Sequence, residues 1–235
     1  MTRPPLTVII PALTIFIATA AWAVDYTVEW AGALRKVHHG DASAQISLQR
    51  FADRPHFYAV GPLAEMEGEI TAVDGKIHIA RVRDHEIVTE HTAAVAASFL
   101  VWGEVREWRP ALPLGVAVEN HAQLEQRIEA LAAQAGLDLD RPFPVRLEGV
   151  MEQVYYHVVV PRTSSHAPSD HLARAKKISL KNEPTTVIGF FSKTHQGIFT
   201  HRGSFAHLHV IAANGWSGHI DEIQAGPEVM VSLPR

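Results

Sequence analysis

The spacing of hydrophobic residues predicts helices separated by β-rich segments. Residues 28–39 carry apolar side chains at Trp30, Leu34 and Val37, a helical spacing that Gly40 stops, so a first surface helix is predicted there. Residues 120–134 show the same periodicity more strongly and are predicted to form a helix that packs on the core. Leu124, Ile128 and Leu131 share its apolar face, Asn120 can cap it, and Gly136 stops it.

Short runs rich in β-branched and aromatic residues occupy much of the remaining chain. The candidate strands of the first half are residues 57–60, 69–73, 77–80 and 99–102, with Asp74-Gly75 as a hairpin turn. Those of the second half are residues 144–160, 185–191, 205–211, 220–223 and 229–233, with a short capped helix at 169–177. The predicted fold class is α+β, a two-domain α/β protein whose β-rich halves have mixed or antiparallel sheets and a few flanking helices. The halves are residues 24–140 and 141–235, joined by the connection at 137–142.

The N-terminus has the features of a secretory signal peptide over residues 1–23. Arg3 precedes an apolar run over residues 6–21, and Ala21-Trp22-Ala23 offers a cleavage site between small residues. The run is short for a membrane-spanning helix. We expect a mature protein that starts near Val24, is periplasmic or secreted, and keeps no stable membrane anchor. The alternative is an uncleaved N-terminal anchor.

Composition narrows the chemistry that the chain can perform. The 25 acidic residues outnumber the 21 basic ones, so the sequence gives no reason to expect a nucleic-acid partner. Cysteine is absent and histidine is frequent, with 15 residues. A transition-metal site in this chain would therefore use imidazole and carboxylate ligands.

Three histidines near the C-terminus form the candidate metal site. His207 and His209 would share one face of a strand, because side chains alternate between the two faces. With a two-residue loop at 214–215, His219 would face away from them. With a three-residue loop at 213–215 and Gly215 in the left-handed region, His209 would pair with His219 and all three rings would share a face. We predict the three-residue loop.

Three neutral imidazoles would leave an open position on a tetrahedral zinc ion, which is the arrangement of catalytic zinc sites. The competing interpretation is that His207 and His209 are ordinary polar residues of a half-exposed strand. Most other histidines are predicted to lie on the surface: His56, His85, His91, His121, His195 and His201.

Two blocks of the sequence resemble the bacterial alpha-acetolactate decarboxylase family. The zinc-binding segment of that family is matched by residues 189–191 (Gly-Phe-Phe), 204–210 (Ser-Phe-Ala-His-Leu-His-Val) and 218–221 (Gly-His-Ile-Asp). Residues 59–76 match its early block, a Gly-rich strand followed by an acidic-Gly-Glu step and an Asp-Gly turn. Residues 97–99 and 147–149 fit a short strand and an internal glycine step, so the likeness covers most of the chain after residue 24.

The resemblance implies a two-domain, usually dimeric protein that converts 2-acetolactate to acetoin and carbon dioxide with one zinc ion. It makes His207, His209 and His219 the zinc ligands, and Glu69 a carboxylate at the metal, as ligand or proton-handling group. Where the family has an arginine, this chain has Tyr156-His157, so His157 or the nearby Arg162 would take its role. The family also has a later glutamate, whose position Glu222 and Glu228 match poorly.

The leading functional hypothesis is therefore an exported, zinc-dependent carboxy-lyase acting on a 2-hydroxy-3-oxo acid, with a homodimer as the expected assembly. The two departures from the family support an alternative, a catalytically impaired, exported metal- or ligand-binding protein on the same scaffold. A zinc hydrolase is a third hypothesis, because an open three-histidine site can also activate water. It is the weakest of the three, since the chain lacks a His-Glu-X-X-His motif.

Overall fold

A computed structural model describes residues 25–161 and 171–235 of the protein. The strands are β1 (Glu29–Ala31), β2 (Ile46–Ser47), β3 (Phe57–Pro62), β4 (Glu69–Val73), β5 (Lys76–Arg83), β6 (Glu86–Glu90), β7 (Ala96–Ala97), β8 (Leu100–Glu104), β9 (Leu112–Pro113), β10 (Phe143–Val158), β11 (Lys176–Phe191), β12 (Ala206–Ala212), β13 (Ser217–Ala225) and β14 (Met230–Ser232). The helices are α1 (Leu34–His38), α2 (His121–Gln134) and α3 (His171–Arg174). Short 3-10 turns occupy Leu48–Phe51 and Ala64–Met66.

Within these described residues the long strands form two six-stranded sheets. The first sheet has the order β1-β8-β3-β4-β5-β6, and neighbouring strands run antiparallel. The predicted hairpin turn lies between β4 and β5, where Val73 pairs with Lys76 and Asp74 and Gly75 both have positive φ. The four strands that the sequence predicts for the first half are confirmed as β3, β4, β5 and β8.

The second sheet is built on a long hairpin. β10 and β11 pair antiparallel from Phe143↔Phe191 to Val158↔Lys176. β12 adds to the free edge of β11, β13 pairs with both β12 and β10, and the four strands therefore close into a ring. β14 and β9 extend the other part of β10. The last three predicted strands, at residues 205–211, 220–223 and 229–233, are present as β12, β13 and β14.

Hydrophobic residues are buried on both faces of the first sheet. Along β3, Phe57 and Ala59 contribute to a cluster on one face that includes Phe51. Tyr58 and Val60 point the other way, into a larger cluster shared with the second sheet and with α2. Since the two sheets share this cluster, polar residues on that face of the first sheet can meet residues of the second.

Several expectations need correction. Residues 29–31 form an edge strand paired with β8, and the helix predicted over 28–39 is limited to α1, Leu34–His38. Gly32 interrupts the helical spacing: it has a φ of +73° and lies so close to the Ser98 carbonyl that a Cβ would be 2.5 Å from that oxygen. The helix predicted over 169–177 appears as α3, and β11 already begins at Lys176. α2 is confirmed, with the Asn120 side chain accepting from the backbone N–H of Gln123 at 2.9 Å.

The predicted signal peptide lies outside the described residues. The division at residues 140 and 141 stays a prediction, and β9 of the N-terminal half joins the second sheet. Among the described residues, no helix has the length and apolar character needed to cross a membrane.

Candidate metal centre

Three imidazole rings converge between the two sheets. The Nε2 atom of His207 lies 3.2 Å from Nε2 of His209 and 3.0 Å from Nδ1 of His219. All three nitrogens lie within 4.8 Å of one another. His207 and His209 are buried, and His219 is partly buried. The three side chains therefore form one cluster, which we call the three-histidine cluster.

The turn between β12 and β13 produces this convergence. Ala212 pairs with Trp216, so residues 213–215 form a three-residue loop, and Gly215 has a φ of +85°. His209 consequently pairs with His219 across the hairpin. The prediction of a three-residue loop is confirmed, and with it the prediction that the three rings share a face. Gly218 allows a close approach of β13 to β10, because a Cβ there would lie 2.5 Å from the His157 carbonyl oxygen.

Hydrogen bonds orient two of the rings toward the centre of the cluster. Nδ1 of His207 lies 2.8 Å from the Phe199 carbonyl oxygen, which can only accept, so Nδ1 carries the proton and Nε2 has the lone pair. Nδ1 of His209 lies 2.9 Å from the Thr71 hydroxyl on β4. When this Nδ1–H donates to Thr71, Nε2 of His209 also presents a lone pair to the centre.

Burial keeps the rings neutral. Burial is the main cause that lowers the pKa of His207 to about 3, and the neighbouring His201 acts in the same direction. Burial likewise moves the pKa values of His209 and His219 well below their usual range, with His207 as the next contributor for both. Neutral imidazole is the form that binds a metal ion, so the protein holds the cluster in its ligand form.

Glu69 faces the cluster from the first sheet. Its Oε2 lies 3.8 Å from Nε2 of His209, and its side chain is almost completely buried. Burial raises the pKa of Glu69 to about 7, although the His157 ring and a hydrogen bond from the Val159 backbone act in the opposite direction. Glu69 and Thr71 are two residues apart on β4 and therefore share one face.

His157 lies beside the cluster on β10. Its Nδ1 is 2.8 Å from Oδ1 of Asp221, and its ring centroid is 5.0 Å from that of His219. It is buried and lines the same pocket as Glu69, His207 and His219. Arg162, the other predicted substitute for the family arginine, lies outside the described residues.

Apart from His201, the rest of the pocket wall is apolar. Side chains of Leu34, Val37, Met66, Phe99 and Val159 surround the histidines, and the Phe99 ring lies 5.3 Å from the ring of His207. Charges that develop beside such a wall are poorly screened, so each polar group of the site has a larger effect than it would have in water.

Thr71, Asp221 and His201 were not predicted from the sequence to lie at this site. Alternation along β4 could have identified Thr71, and alternation along β13 could have identified Asp221, but neither follows a metal-binding motif. His201 was predicted to lie on the surface. It is partly buried and lines the pocket, with its ring 5.3 Å from that of His219. It lies in the irregular segment between β11 and β12, where no periodicity indicates the direction of a side chain.

The geometry fits a metal ion. Nitrogens bound to zinc at about 2.0–2.1 Å in a tetrahedral site are separated by roughly 3.3 Å, close to the 3.0 and 3.2 Å found around His207. In the neutral, oriented rings the lone pairs on Nε2 of His207 and His209 face each other. A cation between them removes that repulsion, so these three histidines could form a metal site.

The fold and the cluster together define a β-rich protein with a three-histidine site capable of holding a metal ion. The family model for alpha-acetolactate decarboxylase matches residues 32–234. The chain belongs to that family, which confirms the resemblance found in the sequence. No curated protein sequence matches the chain.

Solved structures share the fold. Alpha-acetolactate decarboxylase from Bacillus subtilis strain 168 superimposes with a TM-score of 0.72 at 15% identity, covering 88% of this chain and 84% of that chain. Acetolactate decarboxylase from Bacillus subtilis subspecies spizizenii gives 0.73 at 15% identity, covering 88% and 85%. A Staphylococcus aureus protein of unknown function, similar to alpha-acetolactate decarboxylase, gives 0.72 at 13% identity, covering 88% and 84%. At these identities the likeness shows the fold alone.

Proposed function

We propose that the protein decarboxylates 2-acetolactate to acetoin and carbon dioxide, with a zinc ion held by His207, His209 and His219. The family supports the reaction. The observation that carries the proposal is the convergence of three imidazole nitrogens within 4.8 Å, facing the buried carboxyl group of Glu69. Substrate would enter the largely apolar pocket that Glu69, His207 and His219 line.

The ligand set favours zinc. The chain has no cysteine, and imidazole suits zinc among the divalent metals, although it also suits copper, iron and nickel. Three protein ligands would leave zinc open to the substrate, through one position in a tetrahedral site and two if the ion becomes five-coordinate. A bound zinc ion supplies Lewis acidity, which stabilises negative charge on the substrate carbonyl oxygen.

His157 is proposed to orient the substrate carboxylate. Asp221 accepts a hydrogen bond from Nδ1–H of His157, which leaves Nε2 as the other hydrogen-bonding atom of the ring. When Nε2 is also protonated, the ring donates to a carboxylate as a charged group. This role is less specific than that of an arginine, whose planar fork binds both carboxylate oxygens.

Glu69 is proposed to handle the proton. Decarboxylation breaks the bond between the carboxylate carbon and the carbon bearing the hydroxyl group, and the electron pair passes to the neighbouring carbonyl. One proton must then reach carbon to give acetoin. The Glu69 carboxylate lies at the cluster and can accept the substrate hydroxyl proton or deliver a proton to carbon.

A second candidate function is a metal- or ligand-binding protein that has lost catalysis. Among the described residues, no arginine lines the pocket that contains the three-histidine cluster and His157. Within that part of the chain, a substrate carboxylate would then depend on histidines of the pocket such as His157 and His201, which orient it less firmly than an arginine.

We also propose that the protein is exported to the periplasm or beyond and forms a homodimer. The apolar run and the small-X-small sequence near Ala23 support export. The assembly proposal rests on the family. Gel filtration with light scattering and fractionation of the expressing cells test the two statements.

Acetoin release from racemic acetolactate by the zinc-loaded protein tests the main proposal. A His207→Ala/His209→Ala variant corrects for spontaneous decarboxylation. We expect rapid release that this variant abolishes. Release no faster than with the variant, from folded protein that holds one zinc ion per chain, would reject the decarboxylase and support the binding protein.

A further inference from the structure

A cleft with a basic rim adjoins the three-histidine cluster. It has a volume of about 450 Å³ and is lined by Arg35, His38 and His39 on the α1 side and by His201 and Arg202 on the other side. We call it the arginine cleft. It shares Leu34 and His201 with the pocket of the metal centre, so the two spaces are neighbours.

The arginine cleft has unbalanced positive charge. Among residues 25–161 and 171–235, no acidic residue lines it, and neither Arg35 nor Arg202 forms an ion pair or a hydrogen bond through its guanidinium group. Many arginines elsewhere pair with glutamates: Arg54 with Glu104, Arg81 with Glu67, Arg83 with Glu90, Arg146 with Glu148, and Arg235 with Glu107. In a chain with a net charge of −4, two unpaired guanidinium groups at one cleft favour an anion.

The walls of the cleft are fixed before any ligand binds. The backbone N–H of Leu34 donates to the Ile198 carbonyl at 2.7 Å, and that of Arg35 donates to the Gly197 carbonyl at 3.0 Å. The rings of His38 and His201 stack with their centroids 5.6 Å apart. Since α1 and the segment before β12 are joined in this way, only the long arginine side chains need to be ordered by a ligand.

His201 separates the cleft from the metal centre. Its ring is stacked on His38 on one side and meets the ring of His219 edge-on, 5.3 Å away, on the other. In the proposed function, the carboxylate of 2-acetolactate lies next to the three-histidine cluster, where His157 orients it. A group that reaches Arg35 and Arg202 must therefore be a second anionic group, on a longer molecule that passes His201.

We propose that the arginine cleft binds the second carboxylate of a dicarboxylate ligand whose first carboxylate lies at the three-histidine cluster. Among 2-hydroxy-3-oxo acids, those with a distal carboxylate would then bind more tightly than 2-acetolactate, whose single carboxylate reaches only the metal centre. This inference deepens the proposed function and rests on it for the reaction, while the cleft itself rests on Arg35 and Arg202. Guanidinium groups bind carboxylates through paired, charge-assisted hydrogen bonds.

Calorimetric binding of matched acids tests the inference. The probes are glutarate, adipate and pimelate, each compared with its own monoamide, which has the same length and lacks the second charge. We expect at least one diacid to bind the zinc-loaded protein about ten-fold or more tightly than its monoamide. An Arg35→Gln/Arg202→Gln variant should reduce that ratio to less than about two-fold and leave monoamide binding unchanged.

An Arg106→Gln/Arg141→Gln variant is the control for net charge. Both of these arginines are exposed and lie outside the cleft, so the variant removes the same charge and should keep the diacid preference. Equal binding of every diacid and its monoamide, or a preference that survives in Arg35→Gln/Arg202→Gln, would overturn the inference. Binding of inorganic phosphate through Arg35 and Arg202, with no preference for any diacid, would also overturn it, because the cleft would then bind an anion unconnected with the substrate.

The binding measurement separates this inference from the proposed function. A diacid preference without acetoin release would support carboxylate binding at the arginine cleft and reject decarboxylation of acetolactate. Acetoin release without a diacid preference would keep the decarboxylase and reject the cleft as a substrate site.

Discussion

The two walls of the metal centre differ in how the chain builds them. The hairpin of β12 and β13 supplies His207, His209 and His219 within 13 consecutive residues, and one turn sets their register. The opposite wall is β4, which supplies Glu69 and Thr71 from a strand more than 130 residues earlier. The hairpin wall depends on local geometry, whereas the β4 wall depends on how two sheets pack. A change in the turn should therefore separate the three metal-binding nitrogens. A change in β4 should instead disturb the orientation of His209 and the proton transfer assigned to Glu69.

Deletion of Asn214 should have the largest effect. The deletion shortens the loop to two residues, shifts the register of the hairpin by one residue and moves His219 to the opposite face. We expect zinc affinity to fall by more than about 100-fold, beyond what loss of an outer-shell contact causes, as measured by competition with a chelating dye. Asn214→Asp keeps the loop length and is the control. Unchanged affinity in a folded deletion variant would show that the turn does not set the site.

Glu69→Gln should separate chemistry from metal binding. Glutamine keeps the shape of the side chain and removes its ability to take and return a proton. We expect kcat to fall by about 100-fold or more, with zinc affinity changed by less than about ten-fold. Parallel acetoin assays and chelator competition measure the two quantities. A large loss of zinc affinity would instead make Glu69 a metal ligand.

Thr71→Val should weaken zinc binding by about 10- to 100-fold, because it removes the hydroxyl group that orients His209 and preserves the side-chain volume. Zinc affinity from chelator competition is again the readout. Thr71→Ser retains the hydroxyl group and should restore most of the affinity. If serine and valine variants lose the same affinity, the methyl group's packing is responsible and the hydrogen bond is not.

The smallest effect concerns the pH dependence of stability in the metal-free protein. The buried histidines have lowered pKa values, so below pH 6.5 the unfolded chain binds more protons and stability falls as the pH falls. Glu69, with its pKa raised from 4.5 to about 7, acts in the opposite direction between those values, because the folded chain retains its proton.

Glu69→Gln removes this opposing proton. Between pH 4.5 and 6.5 the free energy of unfolding of the variant should rise with pH more steeply than that of the parent protein. The difference in slope is at most about 1.4 kcal/mol per pH unit, the value of one proton. Urea unfolding at several pH values measures it, and equal slopes would mean that Glu69 is ionised in the folded protein.

The sequence predicted much of the fold because local signals agreed with the final structure. The Asn120 cap and apolar face of α2, the Asp74-Gly75 turn and the strands of the C-terminal half all follow from short-range patterns. The helix prediction over residues 28–39 was wrong for residues 29–31. The position of Trp30 fits both a helical spacing and an edge strand, and only the pairing with β8 decides between them.

The spacing of His207, His209 and His219 predicted by itself that three imidazoles meet if the turn has three residues with Gly215 in the left-handed region, because side chains alternate along strands. A two-residue turn, which the sequence also allowed, would have turned His219 away. The resemblance pointed to Glu69 and His157, but only the tertiary structure shows their contacts with the rings, Thr71 beside His209, and His201 between the metal centre and the arginine cleft. These contacts join distant segments through the shared hydrophobic core. Sheet packing is decided by the burial of many side chains at once, which no short stretch of sequence encodes.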